Sequence, residues 1–588
     1  MSASKRSGDK MARWLALVVT LVAAAFLGFA AARPPLPVPA SAPADQFSAI
    51  RAMGDVRVIA RAPHPTGSAA NDAVRAHLVA RLQDLGFTVR ETSFPMPDKA
   101  RRGLVKRGTA DAATGVNITA LRPGRDPAAP AVALMAHYDS VPGSPGAADD
   151  AAGVAAALEI ARAIPRSTQA RDLVVLLTDA EEAGLVGARA FFAPGIAGDP
   201  LADRIGVLVN METRGGGGRA FMFETGADNG AMMALYRRVV ANPTTTAMAV
   251  KIYALLPNST DFTPVRKRGI PGFNFAFTGD ARLYHSPLAT PDAVDQGSIQ
   301  HMGGQALGIT RALVTAGALP PAAPDAIFAD VFGLFTLSYP VAMGWLLLGV
   351  AAVLLVAAAR RRRADWTGWG LAAAGLDAVT VTLTAGVLLY LGNLLSGADA
   401  PVNYYDRLAA LPRLETQALL LMLASLAITV AMLPRRHSRR HPRRLWSGWI
   451  GLAGLNLVIA AAAQVWLPAA GPILAWPLLV ALVAMTIAAR APDTVGTIAA
   501  MVAAILGLAW LGSLAHGVLL GIGTGMPSVT AVFAPLGLML LWPLLPHTAA
   551  RRPLLIAALL LVVAAGSLAL WVRVDAPAPL IPAYTDSK

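Results

Sequence analysis

The placement of long apolar runs constrains this 588-residue chain more than any other feature. One run, Trp14 to Ala32, stands near the amino terminus. Eight more follow Phe335, at about 338–359, 367–395, 414–434, 446–466, 473–489, 494–513, 527–545 and 553–573. Each is long enough, at about 17 residues or more, to carry a helix across the hydrocarbon core of a bilayer. Between them, residues 34–325 mix polar and apolar side chains with frequent Gly and Pro, as a soluble α/β domain does. The expected organisation is a basic tail (1–13), a transmembrane anchor (14–33), an extracytoplasmic domain (34–325) and an all-α polytopic membrane domain of eight helices (326–588). A cleavable leader is the alternative for the first run, because Ala-rich sequence follows it; its length favours an uncleaved anchor.

Basic residues orient these spans. Lys5, Arg6, Lys10 and Arg13 precede the first; Arg360 to Arg363, the run RRHSRRHPRR from Arg435 to Arg444, Arg490, and Arg551 with Arg552 fall on alternate loops. All lie on the side of the amino terminus, which the positive-inside rule makes cytoplasmic, so the intervening domain lies outside. These loops hold most of the net charge of +14. Topology thus accounts for the charge, and with no basic, aromatic-interleaved face in residues 34–325, nucleic acid is not an expected partner. Ala/Arg/Gly-rich usage points to a bacterial inner membrane, with the domain in the periplasm. Zero cysteines exclude disulfides and thiolate ligands.

Within the domain, three apolar runs read as buried strands of a parallel sheet, and each ends in chemistry. AVALM leads into His137 and Asp139, then through a Pro/Gly loop to Asp149 and Asp150. LVVLL, residues 173–177, ends at Asp179, Glu181 and Glu182. IGVLV, residues 205–209, ends at Asn210 and Glu212. Open α/β sheets bind ligands at the carboxyl ends of their strands, so imidazole and carboxylate groups converge on one edge. A fourth apolar strand, IPGFNFAF, precedes a polar turn holding Tyr284 and His285.

Singly, each group has a bland reading. Asp149-Asp150 before an apolar helix serves as a cap with first-turn charge, Glu181-Glu182 starts a helix, and a loop histidine is solvated. Together they supply two histidines and three carboxylates plus a spare glutamate. Without cysteine, nitrogen and oxygen donors suit zinc. Asp139 is placed to accept a hydrogen bond from the second ring nitrogen of His137. Neighbouring glutamates cannot both face one way, so one can bind metal while the other takes a proton from water.

The motifs HPTGS (64–68), AHYDSVPGSPGAADDAAG (136–153), DAEEAGLVGA (179–188), NMETRG, NSTDF and YHSPLATPD, in that order, resemble those of the co-catalytic di-zinc aminopeptidases, over roughly Phe47 to Ala316. With the flanking spans, the chain is similar to their membrane-bound branch, the vacuolar membrane protease and endoplasmic-reticulum metallopeptidase type. The resemblance implies an α/β fold with a mixed, mostly parallel sheet sandwiched by helices, of the zinc-exopeptidase, phosphorylase/hydrolase-like kind. It implies two Zn²⁺ ions, with Asp149 bridging, His137 and Glu212 completing one site, and Glu182 and His285 the other. Glu181 is then the general base, Asp139 the partner of the histidine, and Asp150 a buttress joined to Asp149 by a cis peptide. Tyr284 is placed to hydrogen-bond the oxyanion; some relatives use instead a tyrosine where this chain has Leu256-Pro257-Asn258. The implied substrate is a peptide or protein, trimmed outside the cytoplasm. A glutaminyl-cyclase-like acyltransferase, generally with one zinc, is the enzymatic alternative, and a non-catalytic scaffold or transporter the other.

The eight later spans are expected to anchor the domain or present it to membrane substrates and lipid. Transport is the competing role, prompted by Asp377 about 16 Å into its span at 1.5 Å per residue. Asn393, Asn456, Gln464 and His516 are the other polar groups in or near spans.

Overall fold

The computed structural model of the protein describes residues 3–195, 198–399, 404–436, 441–522, 525–545 and 551–575. The chain forms two compact units, one made of helix α1 (Ala3–Ala32) with the segment after Pro340, the other of Arg33–Pro340.

The Arg33–Pro340 unit is built on a seven-stranded sheet, comprising β1 (Thr88–Pro95), β2 (Thr114–Arg122), β3 (Ala131–His137), β4 (Leu173–Thr178), β5 (Ile205–Thr213), β6 (Phe221–Thr225) and β7 (Gly272–Phe277). The strand order is β1-β2-β4-β3-β5-β7-β6. Strands β4, β3, β5 and β7 run parallel, while β1, β2 and β6 join antiparallel at the edges. Every residue of β3, β4 and β7 is buried, which is why these strands read as unbroken apolar runs rather than alternating ones. Chain order reverses across β3, with β4 on one side and β5 on the other, so the crevice at its carboxyl end is a topological switch point.

Among the described residues, nine α-helices accompany this sheet: α2 (Ala49–Ile59), α3 (Ala69–Asp84), α4 (Asp98–Lys106), α5 (Ala151–Ala163), α6 (Val186–Phe191), α7 (Gly230–Val239), α8 (Ala247–Tyr253), α9 (Phe262–Lys267) and α10 (Gln296–Thr315). Helix α5 buries all its residues except Arg162; its alanines let the helix axis approach the sheet closely. On the sheet's other side, Ala131, Ala133, Met135, Val174 and Leu176 pack with Phe191, Phe262 and Val265 from α6 and α9. The result is the expected helix–sheet–helix sandwich. The unit runs to Pro340, past the boundary expected at residue 325. There β8 (Ala326–Val331) and β9 (Phe335–Pro340) pair as an antiparallel hairpin, and Asp330 Oδ1 accepts the Thr245 backbone N–H at 2.9 Å.

In the other unit, the described residues contain helices and no named strand. Counting Met11–Ala32 in α1 and α11 (Val341–Arg361), 9 helices of the described chain are long and apolar enough to cross a membrane. The later seven are Gly368–Ala398, Leu411–Leu433, Leu445–Trp466, Pro468–Ala488, Asp493–Ile522, Pro527–Leu544 and Arg551–Val574, close to the runs expected. Part of the basic run at 435–444 lies outside the described residues. The polar groups flagged in spans are engaged. Asn456 Nδ2 donates to the Leu452 carbonyl at 2.9 Å, Gln464 Nε2 to that of Val341 at 2.9 Å, and Asn393 Oδ1 accepts from Arg407 at 2.7 Å. His516 Nδ1 lies 2.9 Å from Glu415, and Asp377 is fully buried in its helix.

Candidate metal centre

Four strand ends deliver the site. His137 closes β3, Glu181 and Glu182 follow β4, Glu212 lies near the end of β5, and His285 follows β7 after a one-turn helix, Ala281–Leu283. Strand β5 continues four residues beyond the apolar run that announces it, so Asn210 and Glu212 lie within it, on one face. Asn210 donates to Asn274 of β7 at 2.9 Å, pinning that edge of the sheet.

Asp149 stands between the histidines. Its Oδ1 is 3.1 Å from His137 Nε2, and its Oδ2 is 3.3 Å from His285 Nε2. Glu212 Oε1 is 3.3 Å from His137 Nε2, and Glu182 Oε1 is 3.2 Å from His285 Nε2. Donors at about 2.0–2.1 Å from a common tetrahedral centre are separated by about 3.3 Å, so these spacings suit zinc. Glu182 Oε1 has no partner with hydrogen-bond geometry, as expected of a lone pair aimed at an ion rather than a proton. Two groups of three, His137/Asp150/Glu212 and Asp149/Glu182/His285, each bring one ligand atom per residue within 4.8 Å of the others. The sequence-derived residues converge, and Glu181 belongs to neither group.

The acidic pair after the Pro/Gly loop divides its labour. The Asp149–Asp150 peptide is cis. Asp150 Oδ1 accepts the Gly153 N–H at 3.0 Å and caps α5, so the bland reading holds for this residue, while its Oδ2 is buried without a hydrogen bond. Glu181 and Glu182 do not start a helix; they lie in a turn that ends at Leu185, before α6.

Asp139 works differently from expectation. His137 Nδ1 lies 3.0 Å from the Asp139 backbone carbonyl, whereas the nearer Asp139 carboxylate oxygen is 3.5 Å away. The carbonyl therefore fixes the imidazole tautomer. The carboxylate is engaged elsewhere: Oδ1 accepts the Glu181 N–H at 3.0 Å, and Oδ2 the Glu182 N–H at 3.3 Å and the Thr66 hydroxyl at 3.4 Å. Thr66 also reaches Asp179 Oδ1, at 2.8 Å, which gives the HPTGS segment its place behind the site.

The electrostatics are those of a site short of positive charge. Burial works against protonating His137 and His285, yet the carboxylates around them, Glu212 and Glu182 foremost, hold both imidazoles well above their ordinary pKa. Burial opposes ionisation of Asp149 too, but the two imidazoles hold it low. Burial pushes Glu181, Glu182, Glu212 and Asp150 up, with like charges adding to it. So many carboxylates in one crevice require cations to ionise together.

Tyr284 stacks on His285, ring centroids 3.8 Å apart at 24°, with the Arg214 guanidinium 5.8 Å from its ring centroid. A second buried tyrosine belongs to none of the sequence motifs. Tyr253, at the end of α8, precedes the Leu256-Pro257-Asn258 segment; burial raises its pKa, and Glu224, Glu212 and Glu181 raise it further. Its ring packs edge-on against Phe223, centroids 4.6 Å apart, and its hydroxyl is buried. The aromatic three residues upstream was the available signal.

A donor set of this kind, at the switch point of a parallel sheet, is suited to holding metal ions. Residues 117–310 match the profile of peptidase family M28, and this segment is an M28 peptidase domain. The chain is similar to endoplasmic reticulum metallopeptidase 1 of Homo sapiens, 33% identical over 229 residues, covering 37% of this chain and 25% of that protein. It is also similar to the vacuolar membrane protease of Eremothecium gossypii, 29% identical over 294 residues, covering 47% of this chain and 28% of that one. The chain thus spans about a quarter of the length of these relatives. Among solved structures, a zinc aminopeptidase from Bacillus subtilis aligns with 16% identity and a TM-score of 0.36, over 48% of this chain and 98% of that one. The match to peptidase family M28 thus lies in the Arg33–Pro340 unit, in a chain whose described residues include 9 helices long and apolar enough to cross a membrane.

Proposed function

We propose that the protein is a membrane-anchored, di-zinc exopeptidase, an aminopeptidase acting on peptides at the extracytoplasmic face of a bacterial inner membrane. The observation that carries this reading is the division of Asp149, one carboxylate oxygen facing each histidine. His137, Asp149 and Glu212 would hold one zinc, and Asp149, Glu182 and His285 the other. Bound there, the cations supply Lewis acidity and ease deprotonation of the attacking water.

The chain's own groups do the rest. Glu181, outside both donor groups, takes the proton from the water and passes it to the leaving amine. Asp139 holds the backbone of Glu181 and Glu182 in register, and its carbonyl orients His137. Asp150 caps α5 through Oδ1, and its carboxylate lies in one donor group with His137 and Glu212, beside the zinc that His137 would hold. Tyr284 and Tyr253, both kept protonated by burial, are donors available to the developing oxyanion.

The test is hydrolysis of aminoacyl anilides by the purified full-length protein. Activity should be lost with chelator, return with zinc, and fall away when the substrate's amino group is acetylated. Cleavage of acetylated substrates would contradict the aminopeptidase direction; ammonia release from amino-terminal glutamine without anilide hydrolysis would favour the cyclase.

A further inference from the structure

The glycine run Gly215–Gly218, which follows Glu212 and Arg214 in NMETRGGGG, belongs to neither donor group. It packs against the loop that carries Tyr284 and His285. The Arg214 N–H donates to the Phe277 carbonyl at 3.0 Å, the Gly216 N–H to that of Asp280 at 3.2 Å, and the Gly217 N–H to that of Gly279 at 2.9 Å. The Gly216 carbonyl accepts the Asp295 N–H at 2.8 Å. The start of the loop and its return into α10 are thus fastened to one short segment. A side chain has no room in that contact. A Cβ built on Gly215 would overlap the Gly279 carbonyl oxygen, and one on Gly216 would overlap Leu283 Cδ1, in the residue before Tyr284. Of the four glycines only Gly218 has a positive φ, 84°. At Gly215 and Gly216 it is close approach, not backbone freedom, that requires glycine.

The loop needs a seat of this kind. Asp280 and His285 stand at φ 47° and 52°, left-handed conformations that residues bearing a Cβ keep only where the surroundings over-determine them. Leu283 is 1% exposed, so its side chain has little space into which to yield. Tyr284 extends the contact: its ring centroid lies 3.8 Å from that of His285 and 5.8 Å from the guanidinium of Arg214, the residue before the glycines. His137 and Glu212, by contrast, lie within strands β3 and β5 and are placed by the sheet itself.

We propose that Gly215 and Gly216, with Arg214, are positioning residues: they seat the His285 loop and thereby set the metal position bounded by Asp149, Glu182 and His285. The inference rests on the di-zinc reading and deepens it. One ion is supported by the sheet and the other by the glycine seat, so the second can be weakened alone.

Zinc affinity, titrated against a chromophoric chelator with the full-length protein, tests this without reference to turnover. The parent should bind two ions. Gly217→Ala, whose Cβ would come no closer than 3.5 Å to a neighbour, should match it. Gly216→Ala should keep one ion at the parent's affinity and hold the other about 10–100-fold more weakly, the usual cost of losing the support behind a ligand. Gly216→Ala/Leu283→Ala, which removes the overlapping atoms, should recover most of that affinity, a rescue that general destabilisation would not give. Adding His285→Ala to Gly216→Ala should leave the one tight ion in place; its loss would put the effect at the other position and overturn the proposal. Should Gly216→Ala fail to fold, Gly279→Ala crowds the same contact from the loop side, its Cβ 2.8 Å from the Gly217 carbonyl oxygen, and should show the same order of affinities. Two parent-like affinities in whichever variant folds, equal weakening of both ions, or no recovery in the double variant would overturn the seat alone. A parent that binds fewer than two ions would overturn the di-zinc reading and the seat with it.

Discussion

Replacing Asp139 by Asn tests the account where it departs furthest from a simple ligand count. The carboxylate is 1% exposed and accepts two backbone hydrogen bonds, from Glu181 and Glu182, with the Thr66 hydroxyl 3.4 Å from its Oδ2. The amide keeps one acceptor, which the shorter bond to Glu181 at 3.0 Å will claim. Its NH₂ then faces Thr66, which can accept because its own proton goes to Asp179, and faces the Glu182 N–H, which cannot. One charge-assisted bond, about 1.5–3 kcal/mol, is lost, and one buried donor is orphaned at a further cost of about 1–3 kcal/mol. Relief of repulsion works the other way, since burial and the Asp139 charge push Asp179 up to about 7. The net expectation is about 2–4 kcal/mol, which at about 2–4 °C per kcal/mol lowers Tm by roughly 5–15 °C. The rate should suffer more than binding. A shift of about 1 Å in Glu181 or Glu182 costs on the order of 100-fold. Thermal unfolding of the full-length protein, with and without zinc, and kcat on an aminoacyl anilide measure both effects. A variant with unchanged Tm and kcat within twofold of the parent would refute the positioning role.

Glu181→Gln should retain two zinc ions per chain by elemental analysis while kcat falls about 10²–10⁴-fold, and loss of both metals would contradict its place outside the donor groups. Tyr253→Phe and Tyr284→Phe discriminate the oxyanion donor: the true one loses about 10²–10³ in kcat with KM little changed, and the other stays near the parent. Asp377→Leu should leave hydrolysis per folded molecule unchanged, because every residue assigned to the site lies outside the spans; a proportional loss of turnover in fully folded protein would tie the membrane half to the chemistry.

The spans and most of the site were legible because both rest on short-range pattern. A bilayer demands unbroken apolar length, and a switch-point crevice collects what directly follows buried strands, so His137, Asp149, Glu182, Glu212 and His285 could be placed from their neighbours alone. What escaped depends on geometry that no residue type encodes. Whether Asp139 meets His137 through its carboxylate or its carbonyl is set by backbone conformation after β3, and both options read identically in sequence. Tyr253 belongs to no motif; it ends α8, three residues ahead of Leu256-Pro257-Asn258. The β8–β9 hairpin escaped because β9 runs straight into α11, and its apolar residues merge with those of the span. Strand β1 was equally silent, an edge strand with only Phe94 buried.

The central claim is that one carboxylate, Asp149, serves two cations. Anomalous-difference maps from crystals of the zinc-loaded full-length protein, recorded on either side of the zinc absorption edge, test it directly. Two peaks are expected, one bounded by His137, Asp149 and Glu212 and one by Asp149, Glu182 and His285. A single peak, or two with Asp149 touching only one, would contradict it.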